Sequence, residues 1–172
     1  MIKTNRLTLR KFTKDDAKIV SYNSQRPSVA HFMSDMILED EKSAVEWIEW
    51  INGRFNTSES FLAFAIERNE DKICIGFIAI APKAELNNEI EIVFLIADEY
   101  QNKGYASEAG KAIISWAFEN CTLDYLVAIV KTDNVASQRV IEKIGYIRID
   151  EREIEYDGDL VVFQYYRLYR PK

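Results

Sequence analysis

The chain of 172 residues holds one histidine, two cysteines and three prolines. Each scarcity excludes something. A Ser-His-Asp hydrolase or a His-rich metal centre would have to be built on His31 alone, so both are disfavoured and no metal is expected. His31 reads as a surface or pocket-lining residue. Cys74 and Cys121 fall in separate predicted elements, make no CxxC pair and offer no disulfide framework. With few prolines, 29% charged and 48% hydrophobic residues, the chain is expected to form one domain, 1–172, with a real core. The longest apolar run, 73–81, is about half of what a membrane-spanning helix needs. The N-terminus has no apolar region of the secretory type. No membrane partner is therefore expected, and the cytoplasm is the default location. Positive charge is also short, since the net charge is −6. Nucleic-acid binders usually carry a basic surface, so nucleic acid is not an expected partner. An acidic balance suits a cationic partner such as an amine, and it equally suits simple solubility.

What is present is a set of alternating strands and capped helices. Residues 6–10 alternate polar and apolar, the period of a half-buried strand. Thr13, followed by Asp15 and Asp16, predicts the N-cap of a helix running to about Tyr22. Pro27 opens a short helix through Phe32. A clearer helix begins at Asp40 or Glu41, with Ala44, Val45, Trp47, Ile48 and Ile51 on one broad face, and stops at Asn52-Gly53. Trp47, Trp50 and Phe55 are candidates for a substrate pocket, but helical spacing favours packing. Strands over 60–68 and 72–81 form a hairpin, with Pro82 ending the second. Residues 84–88 are a polar connection that turns at Asn87-Asn88.

Residues 90–107 organise the rest. Ile90, Ile92, Phe94 and Ile96 mark one face of a strand, and Glu91, Val93 and Leu95 the other. The strand breaks at 97–100 and passes through Gln101-Asn102-Lys103-Gly104-Tyr105-Ala106-Ser107 into a helix that ends near Asn120. The first N–H groups of a helix have no intrahelical partner, and the dipole adds to their pull on an anion. Gly104 and Ala106 leave room for a phosphate to approach that backbone. A strand over 125–130 completes a βαβ unit, so strands 89–96 and 125–130 should run parallel. Asn134 caps a short helix over 135–144 that closes at Gly145. A hairpin over 148–156 and 160–168 turns at Asp157-Gly158-Asp159.

The order Gln101-x-x-Gly104-x-Ala106, after an apolar strand and before a helix, resembles the pyrophosphate-binding signature of the GNAT superfamily of acyl-CoA-dependent N-acyltransferases. The flanks are similar to its RimJ/RimL-like branch of ribosomal-protein N-terminal acetyltransferases, over nearly the whole chain from Arg6 to about Tyr169. The likeness is tightest over 89–146. It implies a mixed α/β (α+β) domain with a mostly antiparallel sheet of six or seven strands, one parallel pair and about four helices. It also implies acetyl-CoA as co-substrate. The pyrophosphate would lie at Lys103 and the backbone of 101–107, and the pantetheine amides along Phe94, Leu95 and Ile96 like an added strand.

Acyl transfer to an amine needs a neutral nucleophile, a donor for the developing oxyanion and a proton for the leaving thiolate. With a reference pKa near 8, roughly a tenth of α-amines are neutral at pH 7, against well under a hundredth of lysines with a pKa near 10.4. Glu91 is the candidate base, which matches the resemblance, although the branch's Glu-Ile-Gly-Tyr stands here as Glu91-Ile92-Val93-Phe94. Glu89 faces the same way and competes with it. A solvated strand face is the plain alternative for both. Asn134 and Ser137 resemble the family's segment near the sulfur. Ile141 stands where many members carry an acidic tyrosine, so Ser137 is the candidate thiolate donor. The implied reaction is N-acetylation of a protein or peptide N-terminus by direct attack. The rivals are a small cationic amine, such as a polyamine or aminoglycoside, and a non-catalytic CoA-binding module. An exposed strand and the aromatic hairpin of Tyr156, Phe163, Tyr165, Tyr166 and Tyr169 make a homodimer an open expectation.

Overall fold

The computed structural model describes residues 1–55 and 61–171. Eight strands form one sheet in the order β1-β2-β3-β4-β5-β6-β8-β7. They are β1 (Ile2–Lys3), β2 (Leu7–Arg10), β3 (Leu62–Arg68), β4 (Cys74–Lys83), β5 (Glu89–Ile96), β6 (Tyr125–Lys131), β7 (Ile147–Tyr156) and β8 (Asp159–Tyr169). Five helices accompany them: α1 (Ala17–Ser24), α2 (Pro27–Phe32), α3 (Glu41–Arg54), α4 (Tyr105–Asn120) and α5 (Val135–Lys143). All strand pairs are antiparallel except β5–β6.

The mixed architecture agrees with expectation, with one strand and one helix more than the resemblance implied. The added strand, β1, pairs only Ile2 with Leu9 and Lys3 with Thr8. Two residues are too few to show alternation in a sequence. Ser60, expected to open the β3 strand, lies outside the described residues.

Alternation along β5 divides the core. Ile92 and Ile96 join Ile113, Ala109 and Ala117 of α4 on one face, together with Ile141 of α5 and Ile144 just after it. Val93 and Leu95 pack on the other face with Ala44, Ile48 and Ile51 of α3. Trp47 belongs to that second cluster, meeting Phe12 and Phe77 edge to face. Its role is packing.

Three expectations need correction. Thr13 does not open α1 directly. Its N–H and Oγ1 donate to Asp16 Oδ2 at 2.7 and 3.0 Å across a single 3-10 turn, and α1 starts at Ala17. Asp16 is buried, and burial alone would raise its pKa. Two bonds from Arg10, at 2.7 and 2.8 Å, and the Thr13 donors instead hold it below the usual range. Pro82 does not end β4, for it pairs with Ile90 and the strand continues to Lys83. The described pairing with β3 stops at Leu62–Ile80. Among the described residues no strand pairs with that side of Pro82, and a residue without an N–H is tolerated there. Finally, Phe163, Tyr165 and Tyr166 are buried in this chain's own core, and of the five hairpin aromatics only Tyr169 is exposed. The outer edge of β7 remains as the exposed strand.

The hairpin turn itself is as the residues require. Asp157 (φ 57°) and Gly158 (φ 85°) are both left-handed, the two-residue turn that suits twisted strands. No helix among the described residues is long and apolar enough to cross a membrane.

Candidate active site

The parallel pair β5–β6 is bridged at one position, Glu91 against Val127. Beyond that bridge the strands part, and the gap opens into a cleft of about 380 Å³. Phe94, Leu95 and Ile96 line it from β5. β4 supports this stretch closely on its other side. A Cβ at Gly76 would stand 2.0 Å from the Leu95 carbonyl oxygen, so only glycine allows the approach.

The loop between β5 and α4 forms one end of the cleft. Gln101, Asn102, Gly104, Tyr105, Ala106 and Ser107 all line it. Gly104 is left-handed (φ 81°) and caps α4, which turns the first N–H groups of the helix toward the cleft. Asn102 is also left-handed at φ 59°. The Gln101 side chain works on the loop itself, donating Nε2–H to the Ile96 carbonyl and to Asp98 Oδ1, each at 3.0 Å. Lys103 departs from expectation. Its Nζ donates to the Glu99 carbonyl at 2.8 Å and lies over the Tyr100 ring, and it is absent from the cleft lining. The loop therefore brings no charged side chain to the cleft.

The far wall is α5. Asn134 Oδ1 accepts the Ser137 N–H at 3.1 Å, the N-cap bond that its position predicts. Asn134 and Ser137 both line the cleft, and the Ser137 hydroxyl has no protein partner among the described residues. Ile141, one turn further, is 1% exposed and belongs to the core.

Glu91 and Glu89 have different surroundings. Glu89 is held by donors on every side. Tyr165 Oη donates at 2.9 Å, Tyr125 Oη at 2.9 Å and Arg167 Nη2 at 3.0 Å, with Arg152 Nη1 at 3.7 Å. Glu91 has no such cage. It is 8% exposed, and burial raises its pKa to about 7. Lys83 and the Ile129 backbone oppose that rise, while Asp35 and Glu85 add to it. Glu91 does not line the cleft itself. It sits at the bridge where the cleft begins, on the Val93–Leu95 face of the sheet. Tyr146 lies within reach of its field, and the Tyr146 hydroxyl is buried without a partner among the described residues.

Several contributors escaped the sequence reading. Arg6 donates Nη1–H to the Lys103 carbonyl at 2.9 Å, stacks on Tyr105 and pairs with Glu108 at 2.6 Å. It clamps the loop from the outside. Helix α2 supplies a second wall through Ser28, Val29 and Phe32. Arg26, just before it, pairs with Glu99 and lies 3.6 Å from Asp98. His31 is exposed and meets Asp133 at 2.6 Å, tying α2 to the loop before α5. Arg139 and Lys143 also line the cleft. These are contacts between distant segments, and only the Pro27 helix start was visible locally. Among the described residues no group of three or more acidic, histidine or cysteine side chains is arranged to hold a metal ion.

Comparison with known proteins agrees with this geometry. Residues 6–147 match the family described as Acetyltransferase (GNAT) domain. The chain is 30% identical over 148 residues to a Bacillus subtilis protein named uncharacterized N-acetyltransferase YnaD, covering 86% of this chain and 82% of that one. A GNAT-family acetyltransferase structure from Bacillus anthracis superposes with a TM-score of 0.80 at 26% identity, over 98% of this chain and 97% of that one. The microcin C7 self-immunity acetyltransferase MccE, solved with acetyl-CoA and AMP, shares the fold at a TM-score of 0.80 and 15% identity, over 97% and 94% of the two chains.

Proposed function

This chain belongs to the GNAT family of acetyltransferases, and from that premise we propose that it moves the acetyl group of acetyl-CoA to the N-terminal α-amine of a protein or peptide. The observation that carries the reading is the parting of β5 from β6 beyond the Glu91–Val127 bridge. An open strand edge there offers backbone donors and acceptors for the pantetheine amides along 94–96. The left-handed Gly104 and the first turn of α4 offer N–H groups for the pyrophosphate. Both lie in one cleft with Ser137.

In this reading the amine nitrogen attacks the thioester carbonyl carbon, and its proton passes to Glu91, directly or through a water. The C–S bond then breaks, the Ser137 hydroxyl donates a hydrogen bond to the departing thiolate, and the sulfur takes its proton from water. A base with a pKa of about 7 is well placed for work near neutral pH. It is matched to an α-amine, whose reference pKa near 8 leaves a usable neutral fraction, better than to a lysine near 10.4. The sequence likeness to the RimJ/RimL-like branch supports the same acceptor. A cytoplasmic setting accords with Cys74 and Cys121 both being unpaired.

One observation favours a second acceptor class. Asp35 and Glu85 lie close enough to Glu91 to raise its pKa, and such acids suit a small polycation such as a polyamine or aminoglycoside. Thiol release from acetyl-CoA, measured against short peptides, polyamines and aminoglycosides, tests the whole reading. Release with peptides supports it. Release only with polycations moves the acceptor to the second class. CoA binding without release from any acceptor turns the protein into a CoA-binding module and overturns the catalytic reading.

A further inference from the structure

Tyr146 is 4% exposed and stands in the core cluster with Ile92, Ile96, Ile141 and Ile144, yet its hydroxyl has no partner among the described residues. A phenylalanine would fill the same space without that cost, since a buried hydroxyl left unpaired is destabilising. The same hydroxyl feels the charge of Glu91, which adds to burial in holding its proton on. The two residues belong to opposite faces of the sheet. Tyr146 packs on the α4–α5 side, and alternation along β5 puts Glu91 with Val93 and Leu95 on the other. They sense each other where β5 and β6 part, just beyond the Glu91–Val127 bridge. The Ile129 backbone of β6 lies close enough to Glu91 to favour its charged form. Lys83 at the end of β4, Glu85 just after it and Asp35 in the 3-10 turn 34–36 are the charged groups that act on Glu91, and they do so through space. No side chain among the described residues donates a hydrogen bond to its carboxylate. A buried donor without an acceptor thus stands within electrostatic range of a buried acceptor without a side-chain donor.

We propose that Tyr146 is a positioning residue for the base: its hydroxyl donates, through one bound water in the gap between β5 and β6, to the Glu91 carboxylate. The inference rests on the reading of Glu91 as the base. A buried water makes about three hydrogen bonds to polar groups that have no other partner. Tyr146 and Glu91 supply two, and the third is left for the incoming amine. Glu91 does not itself line the cleft, so a water at this point also completes the proton's path. The proton leaves the amine nitrogen for the water oxygen, and a proton of that water passes to the carboxylate. The Tyr146 hydroxyl keeps its own proton throughout.

Carbon-13 NMR titration of the Glu91 carboxyl, in the full chain without ligand, reads this contact apart from catalysis. A donor to the ionised form lowers the pKa of an acid. Its removal in Y146F, which keeps the ring and its packing, is expected to raise the Glu91 midpoint by about half to one pH unit, the worth of one hydrogen bond. The Glu91 limb of the kcat/KM profile with a peptide acceptor should move up by the same amount, with KM for acetyl-CoA unchanged. An unmoved or lowered midpoint in folded Y146F overturns the proposal and leaves the proposed function standing. A raised melting temperature beside it would mark the hydroxyl as an unpaired core group and nothing more. A raised midpoint with an unmoved rate profile overturns Glu91 as the base, and with it the positioning role, although the contact itself is real.

Discussion

The Arg6 guanidinium donates to the carbonyl oxygen of Lys103 at 2.9 Å, joining the start of β2 to the residue before the Gly104 turn. The same side chain stacks on Tyr105 and pairs with Glu108, whose carboxylate also accepts from Thr4 Oγ1 at 2.6 Å. The left-handed loop that offers N–H groups to the cleft is therefore held from outside the cleft. Arg6→Ala removes a partly exposed pair and a stack, so the cost is modest, about 1 kcal/mol. If that energy holds the loop, the dissociation constant for CoA rises roughly three- to tenfold. Titration with CoA checks this, and a melting curve shows whether the fold is kept. A loss of stability with unaltered affinity would mean that the clamp serves only the fold.

Gly104 gives a sharper test of the loop. Its φ of 81° costs a side-chain-bearing residue roughly 1–2 kcal/mol, whatever the space around it. Space itself is available, since a Cβ would come no closer than 3.5 Å to Arg6 Nη2. Gly104→Ala is thus expected to lower stability slightly and bind CoA more weakly. Gly104→Glu adds bulk and negative charge where the pyrophosphate is proposed to lie and should abolish CoA binding in a still-folded protein. Unchanged CoA affinity in that variant would remove the loop from the site.

Much of this arrangement could be read before the fold was known, and the division is physical. The strand, glycine turn and helix of 89–120 are local, as are the Asn134 cap and the left-handed Asp157-Gly158 turn. Periodicity and capping report such features directly. Arg6 is different, because its partners lie near residue 105 and nothing in its own surroundings marks it. Pro82 misled because the end of a strand was inferred from a missing N–H, whereas what mattered was whether a neighbour needed that N–H. Glu89 and Glu91 were indistinguishable by period, since both point to one face. Arg152, Tyr165 and Arg167, from the far end of the chain, separate them.

That separation yields its own prediction. Glu89 accepts from Tyr125, Tyr165 and Arg167, so Glu89→Gln leaves a half-buried cation without its carboxylate. A loss of roughly 1–3 kcal/mol in stability is expected. The pH dependence of turnover should keep its shape, because the proposed base is untouched. Chemical denaturation and a pH–rate profile check the two halves. Disappearance of the acid limb in this variant would transfer the role of base from Glu91 to Glu89.

Ser137 bears on the leaving group alone. Its backbone N–H serves the Asn134 cap, and that bond survives Ser137→Ala because it does not involve the side chain. Helix α5 should therefore be intact and CoA affinity within about twofold of wild type. If the hydroxyl assists the departing thiolate, turnover falls by roughly 10²-fold, the lower range for a positioned proton donor. Single-turnover rates with a peptide acceptor check this. An unaltered rate would leave the thiolate to water.

Glu91 links activity to stability through one carboxyl. Burial raises its pKa in the folded chain to about 7, from an ordinary value of 4.5. Between these values the unfolded chain has lost this proton while the folded chain still holds it. The folded state then binds more protons, so stability from this group falls as pH rises from 4.5 to 7. Above pH 7 the penalty is complete, roughly 3 kcal/mol at 1.36 kcal/mol per pKa unit. Below pH 4.5 it vanishes. The Glu91→Gln variant, which has no proton to lose, should melt several degrees above wild type at pH 8, on about 2–4 °C per kcal/mol. That advantage should close as the pH approaches 4.5. Activity should move the opposite way. Wild-type kcat/KM should climb about a hundredfold per pH unit well below 7, roughly tenfold from ionisation of Glu91 and tenfold from deprotonation of the α-amine, while the variant keeps only the amine's tenfold slope and loses most of its turnover. A variant that is both more stable and less active at pH 8 would show the carboxylate being kept, against stability, for the amine. A variant with lower melting temperature at pH 8 and an intact acid limb would return Glu91 to a purely structural place in the strand.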